Sequence, residues 1–108
     1  MKELMKDATS ILEEISVVAH SILNGILSYA WGIQQLLIVP ELSKFVLQRQ
    51  ARSSTLVKEW KFSLVVTILR HAVTPTILDE AYIKSLNKYK SQGAFYIEES
   101  PMIAMESA

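Results

Sequence analysis

From Ile15 to Pro40 the chain carries no charged residue, and Glu13-Glu14 and Glu41 close the run at either end. A helix needs about 20 apolar residues to cross a bilayer, so this stretch is long enough. Yet Ser16, His20, Asn24, Ser28, Gln34 and Gln35 interrupt it with groups that are costly against lipid. Three things can hide such a run from water: lipid, a partner, or the chain's own core. Which of them does so decides what the protein is.

The chain has 108 residues, room for one domain, and half of it is apolar. With a fifth charged, global disorder is excluded. Three Gly and three Pro are too few for a turn-rich sandwich or barrel, which leaves an all-α fold. Without Cys there are no disulfides, thiolate ligands or Cys nucleophiles. The mixed-sign opening residues and the late apolar run fit a secretory signal poorly.

Hydrophobic spacing predicts about four helices, the first much the longest. Leu4, Ala8, Ile11, Ile15, Val18, Ile22, Ile26, Tyr29, Ile33 and Leu36 recur at three- and four-residue steps, predicting one helix from Lys2 to Val39. Opposite them, Glu13, Ser16, His20, Asn24, Ser28 and Gln35 form a narrow polar stripe, which faces water in a soluble bundle and turns toward protein or headgroups in a membrane anchor. A short second helix is expected from Glu41 to Arg52, with Leu42, Phe45 and Val46 on one side. Ser53-Ser54-Thr55 supplies a break and an N-cap for a third, with Val57, Trp60, Leu64, Val65, Ile68, Leu69 and Ala72 as its stripe. Thr74-Pro75 reads as N-cap and first position of a fourth, and Gly93 as its stop. Residues 1–93 are thus one helical domain or anchor segment. Residues 94–108 form a tail, with Phe95-Tyr96-Ile97 as a short docked piece.

No motif carries catalysis. His20 and His71 are the only histidines, neither sits in an HExxH frame, and no metal or cofactor is implied. A GxSxG elbow and a Gly-rich phosphate loop are both missing. Adjacent Glu13-Glu14 and Glu98-Glu99 point in different directions and do not make an acid–base pair.

Formal charge is zero but unevenly placed: Lys44, Arg49, Arg52, Lys58 and Lys61 face only Glu59 between residues 44 and 61. Neutrality overall argues against nucleic acid. Cations interleaved with Phe45 and Trp60 suit contact with lipid headgroups. The leading expectation is therefore a non-enzymatic, membrane-associating segment. Ile22, Ile26, Ile33, Leu36 and Leu37 supply its burial, and Lys44, Arg49, Arg52, Lys58 and Lys61 its headgroup contact. The alternative is a small soluble interaction module, cytoplasmic in location, that buries its long helix against a protein partner or a second copy. In that reading Ser16, His20, Asn24 and Ser28 form the wet edge, and Trp60 and Tyr82 anchor contact.

One family shares this order of segments. An apolar run at Ile15–Val39 precedes basic Arg49-Gln50-Ala51-Arg52, then Lys58-Glu59-Trp60-Lys61 through Leu69-Arg70-His71, then Ala81-Tyr82-Ile83-Lys84. This resembles the non-catalytic N-terminal lead of fungal membrane-associated α/β-hydrolases. The resemblance implies a truncated anchor or cap portion of a hydrolase-like protein. The departure is that the oxyanion motif and the nucleophile elbow are missing, so no hydrolase active-site residue can be carried over.

Overall fold

The uncharged run is broken by its own small polar residues. In the computed structural model, which describes residues 2–50 and 52–96, it belongs to short helices rather than one long one. Helix α1 (Lys2–Ala8) stops where the Thr9 hydroxyl donates to the Lys6 carbonyl at 2.9 Å. Ser10 Oγ then accepts the Leu12 N–H at 3.1 Å, a side-chain substitute for the helical ladder. Helix α2 (Glu13–Leu27) opens with Glu13 and Glu14 at its positive end. It closes where the Ser28 hydroxyl turns back on the Gly25 carbonyl at 2.6 Å. Tyr29 is extended, and α3 (Ala30–Ile38) restarts at an angle.

Extended Val39 precedes Pro40, which opens α4 (Pro40–Leu47) at the position where a missing N–H costs nothing. Ser54 caps α5 (Thr55–Arg70) by accepting the Val57 N–H, as the sequence predicts. The fourth expected helix divides. Thr74 begins a single turn, α6 (Thr74–Ile77). The cap of the longer α7 (Glu80–Gln92) is Asp79, whose Oδ1 accepts the Tyr82 N–H at 2.7 Å. Gly93 ends α7 at φ +92°, a conformation that favours glycine.

The all-helical expectation therefore holds, whereas the single helix from Lys2 to Val39 is replaced by α1, α2 and α3. Seven helices stand among the described residues where four were expected. No helix among them is long and apolar enough to cross a membrane. The 15 residues of α2 would span about 22 Å at 1.5 Å per residue, short of a hydrocarbon core of roughly 30 Å.

Helices α2 and α5 form the centre, with α1 against α2 and α7 against α5. The α3–α4 pair links α2 to α5, and α4 also touches α7. Leu23 and Leu27 of α2 meet Leu64, Val65 and Ile68 of α5 in one core, joined by Ile33, Leu42, Val46 and Leu86. Each such side chain contributes about 1.5–3 kcal/mol by leaving water. Of the third-helix stripe, Val57, Leu64, Val65 and Ile68 are buried, Trp60 and Leu69 half-buried, and Ala72 exposed. The tail expected at residues 94–108 lies mostly outside the described residues, Ile97 included.

Candidate protein-interaction surface

Helix α2 is turned the other way from the sequence expectation. The middle of its polar stripe lies inside: Ser16 and His20 are buried and Asn24 is half-buried, so of the expected wet edge only Ser28 is exposed. Each finds a partner across a helix boundary or along α2. The Ser16 hydroxyl donates to the Ala8 carbonyl at the end of α1. The Thr67 hydroxyl of α5 donates to Asn24 Oδ1. His20 Nδ1 lies 2.8 Å from the Ser16 carbonyl, so this nitrogen carries the proton and donates. That tautomer leaves Nε2 as a buried acceptor without a hydrogen-bond partner among the described residues. Burial pushes the His20 pKa down, with the Lys61 charge acting in the same direction and the Ser16 carbonyl bond opposing. His20 stays neutral because its surroundings penalise the imidazolium.

The outer face of α2 is consequently apolar. Ile15, Val18 and Ile22 are 42 %, 57 % and 48 % exposed, at a spacing of three and four residues along one side of the helix. Ile11 and Leu12, just before the helix, are exposed as well. Between α1 and α2 runs an open groove of about 310 Å³, lined by Leu4, Ile15, Val18, Ala19 and Ile22 together with Asp7 and Glu14. Beyond the corner, Tyr29 and Trp31 stack with ring centroids 6.1 Å apart, and Leu37 and Ile38 of α3 are exposed. An i, i+3, i+7 row of branched side chains beside a groove is the pattern that accepts a partner helix.

Of the residues expected to meet lipid or a partner, the structure brings few to the surface together. Ile22 and Leu37 are exposed, Ile26 is half-buried, and Ile33 and Leu36 are in the core. Phe45 is buried, Trp60 and Lys58 are half-buried, and Lys44 and Arg52 are exposed. Lys61 is only 2 % exposed. Its ammonium donates to the Phe45 and Gln48 carbonyls at 2.8 and 2.9 Å and sits 3.7 Å over the Phe45 ring. Burial pushes its pKa down to about 7. Arg49 likewise turns inward, donating to the Gly93 carbonyl at 2.8 Å and the Tyr89 carbonyl at 3.2 Å. Its guanidinium lies 3.8 Å over the Tyr89 ring.

These two cations close helix ends: Lys61 satisfies the last carbonyls of α4, and Arg49 those of α7. A positive charge at a helix C-terminus also opposes the helix dipole favourably. Tyr82, expected as a contact anchor, ties α7 to α4 by donating its hydroxyl to the Ser43 carbonyl at 2.9 Å. Burial pushes its phenol pKa up. Sequence reasoning missed Ile15 and Val18 as surface residues because it placed them on the buried face. The signal available was their three- and four-residue spacing with Ile22, which fits either side of a helix that is apolar nearly all round.

Among the described residues no group of three or more His, Cys, Asp or Glu is placed to hold a metal ion. Neither a curated protein nor a solved structure matches the chain. The family described as proteasome non-ATPase 26S subunit matches residues 4–108. This match overturns the resemblance to the lead segment of membrane-associated α/β-hydrolases, which rested on loosely spaced aromatic and basic residues common to many helical chains. With nearly all of its length covered, the chain belongs to the proteasome non-ATPase 26S subunit family.

Proposed function

We propose that this chain is a non-catalytic, helical protein-interaction module that works with the 26S proteasome. Its partner would dock on the apolar outer face of α2. The observation that carries the reading is the outward turn of Ile15, Val18 and Ile22 while Ser16 and His20 of the same helix lie inside. A helix that buries its polar stripe and exposes branched aliphatics forgoes apolar burial that an interface would restore. The leading membrane expectation loses support because the uncharged run divides into helices too short to span. The family match supports a protein partner and, with it, a location where proteasomes occur.

The test is affinity capture of 26S proteasome subunits by the tagged chain, compared with a Val18→Glu/Ile22→Glu variant. Loss of capture by a variant with an unchanged melting curve supports the assignment. Equal capture by both would remove α2 as the docking face. Light scattering in the same buffer separates this reading from pairing of two copies through the same face.

A further inference from the structure

A second concave surface, sharing no residue with the apolar row of α2, lies where the end of α4 and the ends of α5 and α7 converge. It encloses about 480 Å³. Arg49, Lys58, Lys61 and Lys88 line it, and none of its lining residues, all among the described residues, is acidic. We propose that this cleft binds an acidic peptide segment, through carboxylate side chains seated on Lys58 and Lys88.

The four cations do not play one part. Arg49 and Lys61 are committed to the carbonyls that end α7 and α4. Arg49 sets a positive potential in the cleft and Lys61 adds to it while protonated, neither being a free contact. Lys58, half-buried on α5, and Lys88, exposed on α7, come from separate helices and supply the mobile ammonium groups. Ammonium groups carried on two different helices suit carboxylates spaced along an extended chain. One compact phosphate would need donors converging on a single point.

Gln50 adds a second, independent pointer. Its Oε1 accepts the Ser53 hydroxyl at 3.0 Å, while its Nε2 is buried with no hydrogen-bond partner among the described residues. A buried amide N–H without an acceptor is costly, and what it lacks is an oxygen. A carbonyl or carboxylate in the cleft provides one once the Gln50 side chain, which lines the cleft, turns its amide outward. The occupant is an acidic stretch of a protein partner, complementary in charge to a cleft that holds four cations and no carboxylate.

The experiment uses the full chain and a fluorescein-labelled peptide rich in Glu, with a Gln-for-Glu peptide as control, read by anisotropy. The Glu peptide binds, the Gln peptide binds about tenfold or more weakly, and added salt weakens the first selectively. A Lys58→Gln/Lys88→Gln variant, both side chains lying outside the core, keeps its thermal melt and loses about tenfold in affinity for the Glu peptide. In a Glu98→Gln/Glu99→Gln variant, tighter binding of added peptide would give the cleft to the chain's own glutamates and overturn the proposal of a partner. Unchanged affinity in that variant supports it. Equal binding of both peptides, or full affinity in the Lys variant, overturns the proposal. So does charge-dependent binding to phosphatidylserine vesicles in the absence of peptide binding. The Val18→Glu/Ile22→Glu variant keeps peptide affinity, which separates failure here from failure of the α2 docking face.

Discussion

Gly32 packs directly on the main-chain carbonyl of Ile26, where a Cβ would overlap the Ile26 oxygen and carbon. This contact lets α3 fold back over the end of α2 after the turn at Ser28 and Tyr29. Because the atoms in the way are backbone, no rotamer change relieves the clash. Gly32→Ala is expected to cost about 3 kcal/mol or more, read as a lowered urea midpoint. Gly25 is the internal control: a Cβ there meets nothing within 4 Å. Gly25→Ala should gain about 0.5–1 kcal/mol from helix propensity alone.

Stability should climb from mildly acid to alkaline pH and then fall. The folded Lys61 loses its proton near 7, while in the unfolded chain it holds the proton to about 10.5. Between those values the unfolded state binds more protons, so stability rises with pH, by on the order of a few kcal/mol. His20 acts in the same direction at lower pH. Its pKa is depressed below 6.5, so acid protonates the unfolded chain first and destabilises the fold. Above about 10 the sign reverses, because burial holds the Tyr82 and Tyr89 phenols neutral in the fold while the unfolded chain ionises them. Denaturant midpoints across this range check the profile, and Lys61→Met should flatten its middle section.

Arg49→Ala should loosen the end of α7. The substitution strips donors from the Tyr89 and Gly93 carbonyls and removes the guanidinium stacked on Tyr89. The expected cost is about 1–3 kcal/mol, with faster amide exchange confined to the last turn of α7. Arg49→Lys should recover less than half of that loss, because one ammonium cannot fork between two carbonyls while lying flat on a ring.

Val18→Glu should change stability by less than about 0.5 kcal/mol, since its side chain is more than half exposed. Leu23→Ala, five residues along and on the inner side of α2, should cost about 2–5 kcal/mol because Leu23 is fully buried. Parallel thermal melts decide it. A large loss in Val18→Glu would mean that α2 is turned as its hydrophobic spacing first suggested.

The sequence by itself determined the fold class and the punctuation that chemistry enforces locally. Ser54 accepting the Val57 N–H follows from a hydroxyl's reach to its own neighbours, and Gly93 at the end of α7 from the freedom of a residue without a Cβ. The apolar stripe of α5 was legible too, because its spacing admits one buried face. The breaks at Thr9-Ser10 and Ser28 were not read, since a hydroxyl bonded to its own backbone looks in sequence like any helical Ser or Thr.

Only the tertiary structure decided which side of α2 faces in. Ile15, Val18 and Ile22 compete for burial with Ala19, Leu23 and Leu27, and hydrophobicity favours neither set decisively. The second set wins together with Ser16, His20 and Asn24, whose hydrogen bonds to Ala8, to Ser16 and from Thr67 offset their desolvation. The same holds for Lys61 and Arg49: a lysine or arginine in a basic run reads as solvated charge until helix ends from distant parts of the chain present it with carbonyls. Those partners lie 16 and 44 residues away in the longer cases of Lys61 with Phe45 and Arg49 with Gly93, beyond the reach of any local pattern.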